Sequence, residues 1–263
     1  MTLLYIILAG LLLCFASIIA SGILLIKEAY LKKIIFPVVS ISSGVFLGAA
    51  FLFLIPESLE LLGDAHLSLF FVLLGFLTFL FLEEVLEWHH CHKMPSEHKL
   101  HNMHHNEHHN KNHKDKLGWL ITFSDFFHNA IDGASIAATF IISPNLGLVT
   151  TISTFLHELP QEIGDIGILI HSGAKKKKAF LLNLLSQLTF FVGAFFVYFS
   201  KSKGITYFLI PFTAGTFIYI SAVDLLPEIK SSSKTSERLL HILYFLLGIF
   251  FIYILMMHFH HNH

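Results

Sequence analysis

The sequence predicts an all-α integral membrane protein of eight transmembrane helices, and three observations predict it. The chain of 263 residues is 54% hydrophobic and only 13% charged, whereas soluble domains carry about a quarter charged residues. Its apolar residues gather into runs close to the ~20 residues that cross a hydrocarbon core. Its basic residues sort onto alternate loops, as they do between membrane spans. The two cysteines are too few for a disulfide framework, and both Cys14 and Cys91 are expected to be unpaired. No GxxxxGK[ST] phosphate cradle is present, so nothing points to ATP-driven pumping.

The eight spans fall near residues 3–26, 34–56, 67–87, 118–141, 147–170, 179–199, 205–227 and 239–259. The first, Leu3 to Ile26, holds no charge; lacking a basic start and a small-residue cleavage site, it reads as a retained span and not a signal peptide. The third is charge-free only from Leu67 to Leu82, and its end with Glu83, Glu84 and Glu87 is expected to continue as helix beyond the membrane. Of seventeen basic residues, fifteen lie before spans two, four, six and eight, on Lys27 to Lys33, Lys93 to Lys116, Lys175 to Lys178 and Lys230 to Arg238; only Lys201 and Lys203 fall on the opposite side. The positive-inside rule makes the fifteen cytoplasmic and turns both termini outward at the cell membrane.

The second and seventh spans align without gaps at an offset of 171 residues, Gly44, Phe46, Leu54, Pro56 and Glu57 matching Gly215, Phe217, Leu225, Pro227 and Glu228. In the predicted topology these two spans run in opposite directions. Related segments of opposite direction mark inverted-repeat transporters, whose substrate sits near the midplane. Spans one to three and six to eight are then paired halves around spans four and five.

Ionisable groups inside hydrocarbon are costly and rare unless they face a cavity or a partner. They concentrate in these two central spans. In the fourth, SDFFHNAIDGASIAATF, Asp125, His128 and Asp132 recur at helical spacing on one face with Asn129 beside them. In the fifth, STFLHELPQEIGDIGILIH, His157 and Gln161 share one face and Glu158, Glu162 and Asp165 the adjoining one, with Pro160 expected to bend the helix between them. Imidazole, carboxylate and amide oxygen together suit Zn²⁺ and tolerate Fe²⁺, Mn²⁺ or Cd²⁺. The weaker amide donors fit reversible binding of a cargo ion, either one ion or two sharing Asp132. In the sixth span Asn183 and Gln187, four apart, either line the same cavity or serve helix packing.

At these residues the sequence resembles the ZIP family of zinc-regulated and iron-regulated metal transporters. His128-Asn129-x-x-Asp132-Gly133 matches HNxxDG in the family's fourth span, and His157-Glu158-x-Pro160-Gln161-Glu162 matches HExPHE in its fifth. Gly164-Asp165 and the segment AGTFIYISAVDLLPE extend the likeness over nearly the whole chain. The resemblance implies a single transmembrane transporter domain over 1–263 that moves zinc, with iron, manganese or cadmium as further substrates, into the cytoplasm. It implies a metal set of His128, Asn129, Asp132, His157, Glu158, Gln161 and Glu162, with position 161 among the transport ligands and Asn129, Glu158 and Asp132 able to build an adjoining site. Two departures stand out: Gln161 where many members have His, and Phe53 where some place a ligand His in span two.

Between Trp88 and Lys114 ten of the nineteen histidines accompany Cys91 in a polar low-complexity stretch. Such composition cannot bury a core, so a disordered cytoplasmic loop over 88–116 is expected, with paired imidazoles suited to capturing zinc. The tail MMHFHHNH carries four more histidines. The expected partners are divalent metal ions and the lipid bilayer, with no nucleic acid, no resident cofactor beside the transported Zn²⁺, and a homodimer as a candidate assembly. Two other classes share features with this sequence. A metal exporter uses HxxxD, which His128 and Asp132 satisfy, but has six spans and a soluble C-terminal domain. An intramembrane zinc protease needs HExxH, and here Gln161 replaces its second His, so no enzymatic activity is expected.

Overall fold

The structure is a computed structural model and describes residues 1–23, 28–91, 111–231 and 235–260. Among these, every regular element is helical: α1 (Thr2–Ile23), α2 (Glu28–Ala49), α3 (Ile55–Leu62), α4 (Ala65–Cys91), α5 (Lys111–Ile142), α6 (Pro144–His171), α7 (Lys176–Gln187), α8 (Thr189–Ser200), α9 (Lys203–Ser231) and α10 (Thr235–His260). A π turn over Ala50–Leu54 welds α2 to α3, and α7 meets α8 at Leu188, so the described helices form eight rods. Six stretches are long and apolar enough to cross a membrane: Thr2–Gly22, Ile35–Leu62, Ala65–Leu82, Lys176–Ser200, Lys203–Val223 and Thr235–Phe259. The two rods outside that set are α5 and α6, which carry Asp125, Asp132, Glu158, Glu162 and Asp165 in their interiors. The chain is therefore a multi-pass helical membrane protein, and its outward faces agree: Leu69, Phe70 and Phe81 on α4 and Leu239, Leu246 and Phe250 on α10 are exposed apolar surface that water would not tolerate as a continuous patch.

Local chemistry explains the irregularities. Pro56 has no amide hydrogen and its ring crowds the carbonyl four residues back, at Leu52, inside the π turn. The Ile55 amide accordingly bonds to Ala50 O, one residue wider than an α-helical bond. Gly63 ends α3 at φ +64°, its amide on Leu59 O, and Asp64 caps α4 by accepting from the His66 and Leu67 amides. α4 continues past Glu87 to Cys91, as the charged end of span three predicts.

The span predicted over 179–199 is one apolar stretch long enough to cross a membrane, Lys176–Ser200, interrupted at Leu188, where Ser186 and Thr189 turn their hydroxyls onto the Asn183 and Ser186 carbonyls and loosen the helical ladder. The disordered loop was expected over 88–116, yet α4 reaches Cys91 and α5 starts at Lys111. The histidines of 92–110 lie outside the described residues, as do those of 261–263.

Packing is closest where glycines let backbones touch. α2 lies on α10 with Gly44 against the Phe245 carbonyl and Gly248 against the Ile41 carbonyl. α4 lies on α9 in the same way, Gly75 against Phe212 O and Gly215 against Val72 O. A third seam joins α5 to α8 through Gly133 and Gly193. α1, α7 and α2 pack on α6, while α9 and α8 pack on α5, which puts the polar faces of α5 and α6 in the interior.

Candidate metal centre

α5 and α6 are joined by a turn at Ser143 and Pro144 and pack side by side, so they run antiparallel. Stepping toward the N-terminus of α5 and the C-terminus of α6 therefore moves along the same direction. On α5 the His128 Nε2 lies 3.6 Å from Asp132 Oδ2, a spacing set by the one-turn offset of the two residues. Glu158 of α6 completes this group: one ligand atom from each of His128, Asp132 and Glu158 falls within 4.8 Å of the others, and all three side chains are buried. A tetrahedral ion held at 2.0–2.2 Å keeps its donors about 3.4 Å apart, so a modest closure suffices to bring these atoms onto one cation.

His157 is also buried, its ring 6.0 Å from that of His128. Aromatic rings hold both imidazoles in place. Phe79 of α4 packs edge-on against His128 at 5.5 Å, and Phe46 of α2 packs on His157 at 4.9 Å. Phe46 in turn lies 4.1 Å from Phe217 of α9, so residues matched in the sequence repeat meet beside the centre. Gln161 and Asp165 are half-buried on α6. Phe53, in the π turn, packs against Phe259 of α10 at 6.4 Å, and its side chain offers no donor.

A second acidic group lies one turn away, where single oxygens of Asp125, Glu158 and Glu162 fall within 4.8 Å of one another. Neutral donors from three helices, α1, α5 and α7, surround it. Asn129 donates to Asp125 Oδ1 at 2.9 Å and Ser186 of α7 donates to the other oxygen. Ser17 of α1 donates to Glu162 Oε1 at 2.8 Å, and Asn183 of α7 donates to Glu162 Oε2. Gln187, in the amide orientation that gives both its ends partners, donates to Glu158 Oε1 at 2.6 Å and to Glu162 Oε1 at 2.7 Å. Helix packing alone does not account for Asn183 and Gln187: both reach the acids.

Of the seven residues predicted from sequence, His128, Asp132 and Glu158 converge in the first group. Glu162 joins the second, Asn129 braces it through Asp125, His157 flanks the first, and Gln161 stands on α6 nearby. Sequence reasoning missed Ser17 and Ser186. Their one available signal was a hydroxyl in an otherwise apolar run, which is common in membrane helices and points nowhere by itself.

The chain matches the family model described as ZIP zinc transporter over residues 3–256. It is 40% identical over 138 residues to zinc transporter zipt-7.2 of Caenorhabditis elegans, a match covering 50% of this chain and 30% of that protein. It is 33% identical over 216 residues to zinc transporter zipt-7.1 of Caenorhabditis briggsae, covering 70% of this chain and 55% of that one. With zinc transporter ZIP10 of Homo sapiens the identity is 31% over 154 residues, covering 58% and 18%. The matches thus span from under a fifth to about half of those relatives' own length. Each of these relatives is named as a transporter and none as an enzyme. With a match running almost end to end and a buried imidazole and carboxylate group on the helices that carry its motifs, the chain belongs to the ZIP zinc transporter family.

Proposed function

We propose that this protein carries zinc, and divalent ions of similar chemistry such as iron, manganese or cadmium, into the cytoplasm through a centre on α5 and α6. His128, Asp132, His157, Glu158 and Gln161 are the transport ligands, with Asn129 and Glu162 adjoining. The observation that carries the reading is the convergence of buried acids and imidazoles from two facing helices, with no lysine or arginine paired to them among the described residues. Buried charge of one sign is unstable unless something compensates it, and a passing cation does so.

The eight rods are read as eight spans. The acids exclude α5 and α6 from the simple apolar spans, yet both rods are long enough to cross and are enclosed by other helices. An inverted repeat of spans one to three and six to eight is supported by packing: Gly44 and Gly215, matched in the sequence repeat, serve equivalent seams, α2 on α10 and α9 on α4, and a glycine of the facing helix, Gly248 or Gly75, lies in each. The charge pattern of the loops supports a reading with both termini outside a cell membrane.

Purified protein in zinc-loaded and zinc-free proteoliposomes tests the reading. Labelled zinc is expected to accumulate across the bilayer toward the side bearing Lys175 to Lys178. Flux only in the opposite direction identifies an exporter, and absence of flux in correctly inserted protein overturns transport.

A further inference from the structure

We propose that Ser135 of α5 and Thr154 of α6 form a hydroxyl step beside the metal centre, which takes up the waters of an arriving divalent ion as it exchanges them for protein ligands. This role rests on the reading of α5 and α6 as the ion's path. Ser135 follows Asp132 by three residues and Thr154 precedes Glu158 by four, so each shares a helix face with ligands of the centre. Because the two helices run antiparallel, both residues lie on the same side of it, toward the turn at Ser143 and Pro144 and away from Lys175 to Lys178. In the proposed direction of transport, this is the side from which the ion comes.

Hydroxyls on buried helices commonly return the proton to a carbonyl of their own helix. On these two helices Thr139, Thr150, Thr151 and Ser153 do so, at 2.7–2.9 Å, and on α9 so do Thr213 and Thr216. Ser135 and Thr154 are as deeply buried, at 2% and 1% exposed, yet neither hydroxyl has a hydrogen-bond partner. A buried hydroxyl left without one gives up its hydration for nothing in return. Two of them, one on each helix of the centre and about a turn away from it, call for a ligand that supplies hydrogen bonds.

Water carried by the ion is that ligand. A metal-bound water turns its hydrogens away from the cation and needs acceptors, which hydroxyl oxygens provide while still able to donate onward. The spacing suits it. A water about 2.1 Å from the ion and about 2.8 Å from a hydroxyl puts that hydroxyl roughly 4–5 Å from the ion. Ser135 and Thr154 stand about 4.5 and 6 Å along their helices from Asp132 and Glu158. Two neutral hydroxyls bring no charge to a divalent cation, so they ease its dehydration without retaining it. Their effect therefore falls on the rate of entry and leaves the affinity of the centre unchanged.

The test uses the full chain, in proteoliposomes for flux and in detergent for binding, with Zn²⁺ alone as the probe. Ser135→Ala combined with Thr154→Val removes both hydroxyls at nearly constant volume. Initial uptake at zinc well below half-saturation is expected to fall about fivefold or more, while equilibrium zinc affinity, read by competition with a chelator, stays within about twofold of the parent. The unfolding temperature is expected to stay level or rise, because two buried hydroxyls without partners are gone. Thr154→Ser keeps a hydroxyl and is expected to hold uptake within about twofold of the parent. Where the double variant does not insert, Ser135→Ala alone decides, with an expected loss of about threefold. Parental uptake in the variants without hydroxyls overturns the step. So does a loss of equilibrium affinity equal to the loss of uptake, which makes these hydroxyls ligands of the centre, and so does a lowered unfolding temperature, which makes them packing groups. A parent that binds zinc but shows no flux overturns transport itself and this role with it, a result distinct from the others.

Discussion

His128 shows how much a single side chain reveals in lipid. A histidine four residues from an aspartate means little in a soluble helix, but in a span it requires a partner; the structure gives it Asp132 at 3.6 Å and Glu158 nearby. His128→Ala is therefore expected to reduce zinc uptake at least tenfold with unchanged membrane insertion, measured as initial rates normalised to surface protein. Parental rates in this variant would remove the centre from α5. Gln161 supports a prediction of opposite sign: its amide is a weaker zinc donor than imidazole, so Gln161→His is expected to tighten zinc about tenfold in a chelator competition and to slow release. These residues were legible because their cost in hydrocarbon is high. Ser17 and Ser186 were not, because a hydroxyl can return its proton to its own helix, as Ser21 does to Ser17 O, and only the neighbouring helix decides otherwise.

Helices were legible from hydropathy, and their seams were not. Runs of apolar residues locate a span but leave its facing neighbour unspecified, and that choice is made at Gly44, Gly75, Gly133, Gly193, Gly215 and Gly248. At Gly215 an added Cβ would collide with the carbonyl of Val72 and crowd the Phe76 amide, groups that cannot move without opening α4. Gly215→Val is thus expected to destabilise the fold by at least ~1–3 kcal/mol, the cost of overpacking a tight core. Gly167 of α6 meets nothing within 4 Å, so Gly167→Ala should be neutral or gain up to ~1 kcal/mol of helix propensity. Thermal unfolding of the two variants in one detergent compares them directly, and equal losses would place the Gly215 seam elsewhere. The break at Leu188 escaped the sequence for a related reason: Thr189 caps Ser186 O and also donates to Phe126 O of α5 at 2.8 Å, so the interruption depends on a helix distant in sequence.

Taken together, the rods enclose the imidazoles and carboxylates of α5 and α6, and with these groups as the transport ligands proposed above, transport is sensitive to protons. His128, Asp132 and Glu158 bind a cation only when deprotonated, so metal and protons compete for the same atoms. The sign follows from the competition alone: lowering the pH puts protons on the ligand atoms, and each proton that must leave before binding weakens zinc about tenfold per pH unit once that group is protonated. Initial zinc uptake into proteoliposomes held at pH 7 inside is therefore expected to fall steadily as the outside is taken from about 7.5 to 5.5, through a rise in the half-saturating zinc concentration before any loss of maximal rate. Saturating zinc should restore most of the rate at the acid end, because the ion displaces the protons. A maximal rate that falls at constant half-saturation would instead locate the titrating group away from the ligands, in the moving parts of the bundle, and a flat profile would show that the carboxylates and imidazoles gathered on α5 and α6 do not hold the ion as it passes.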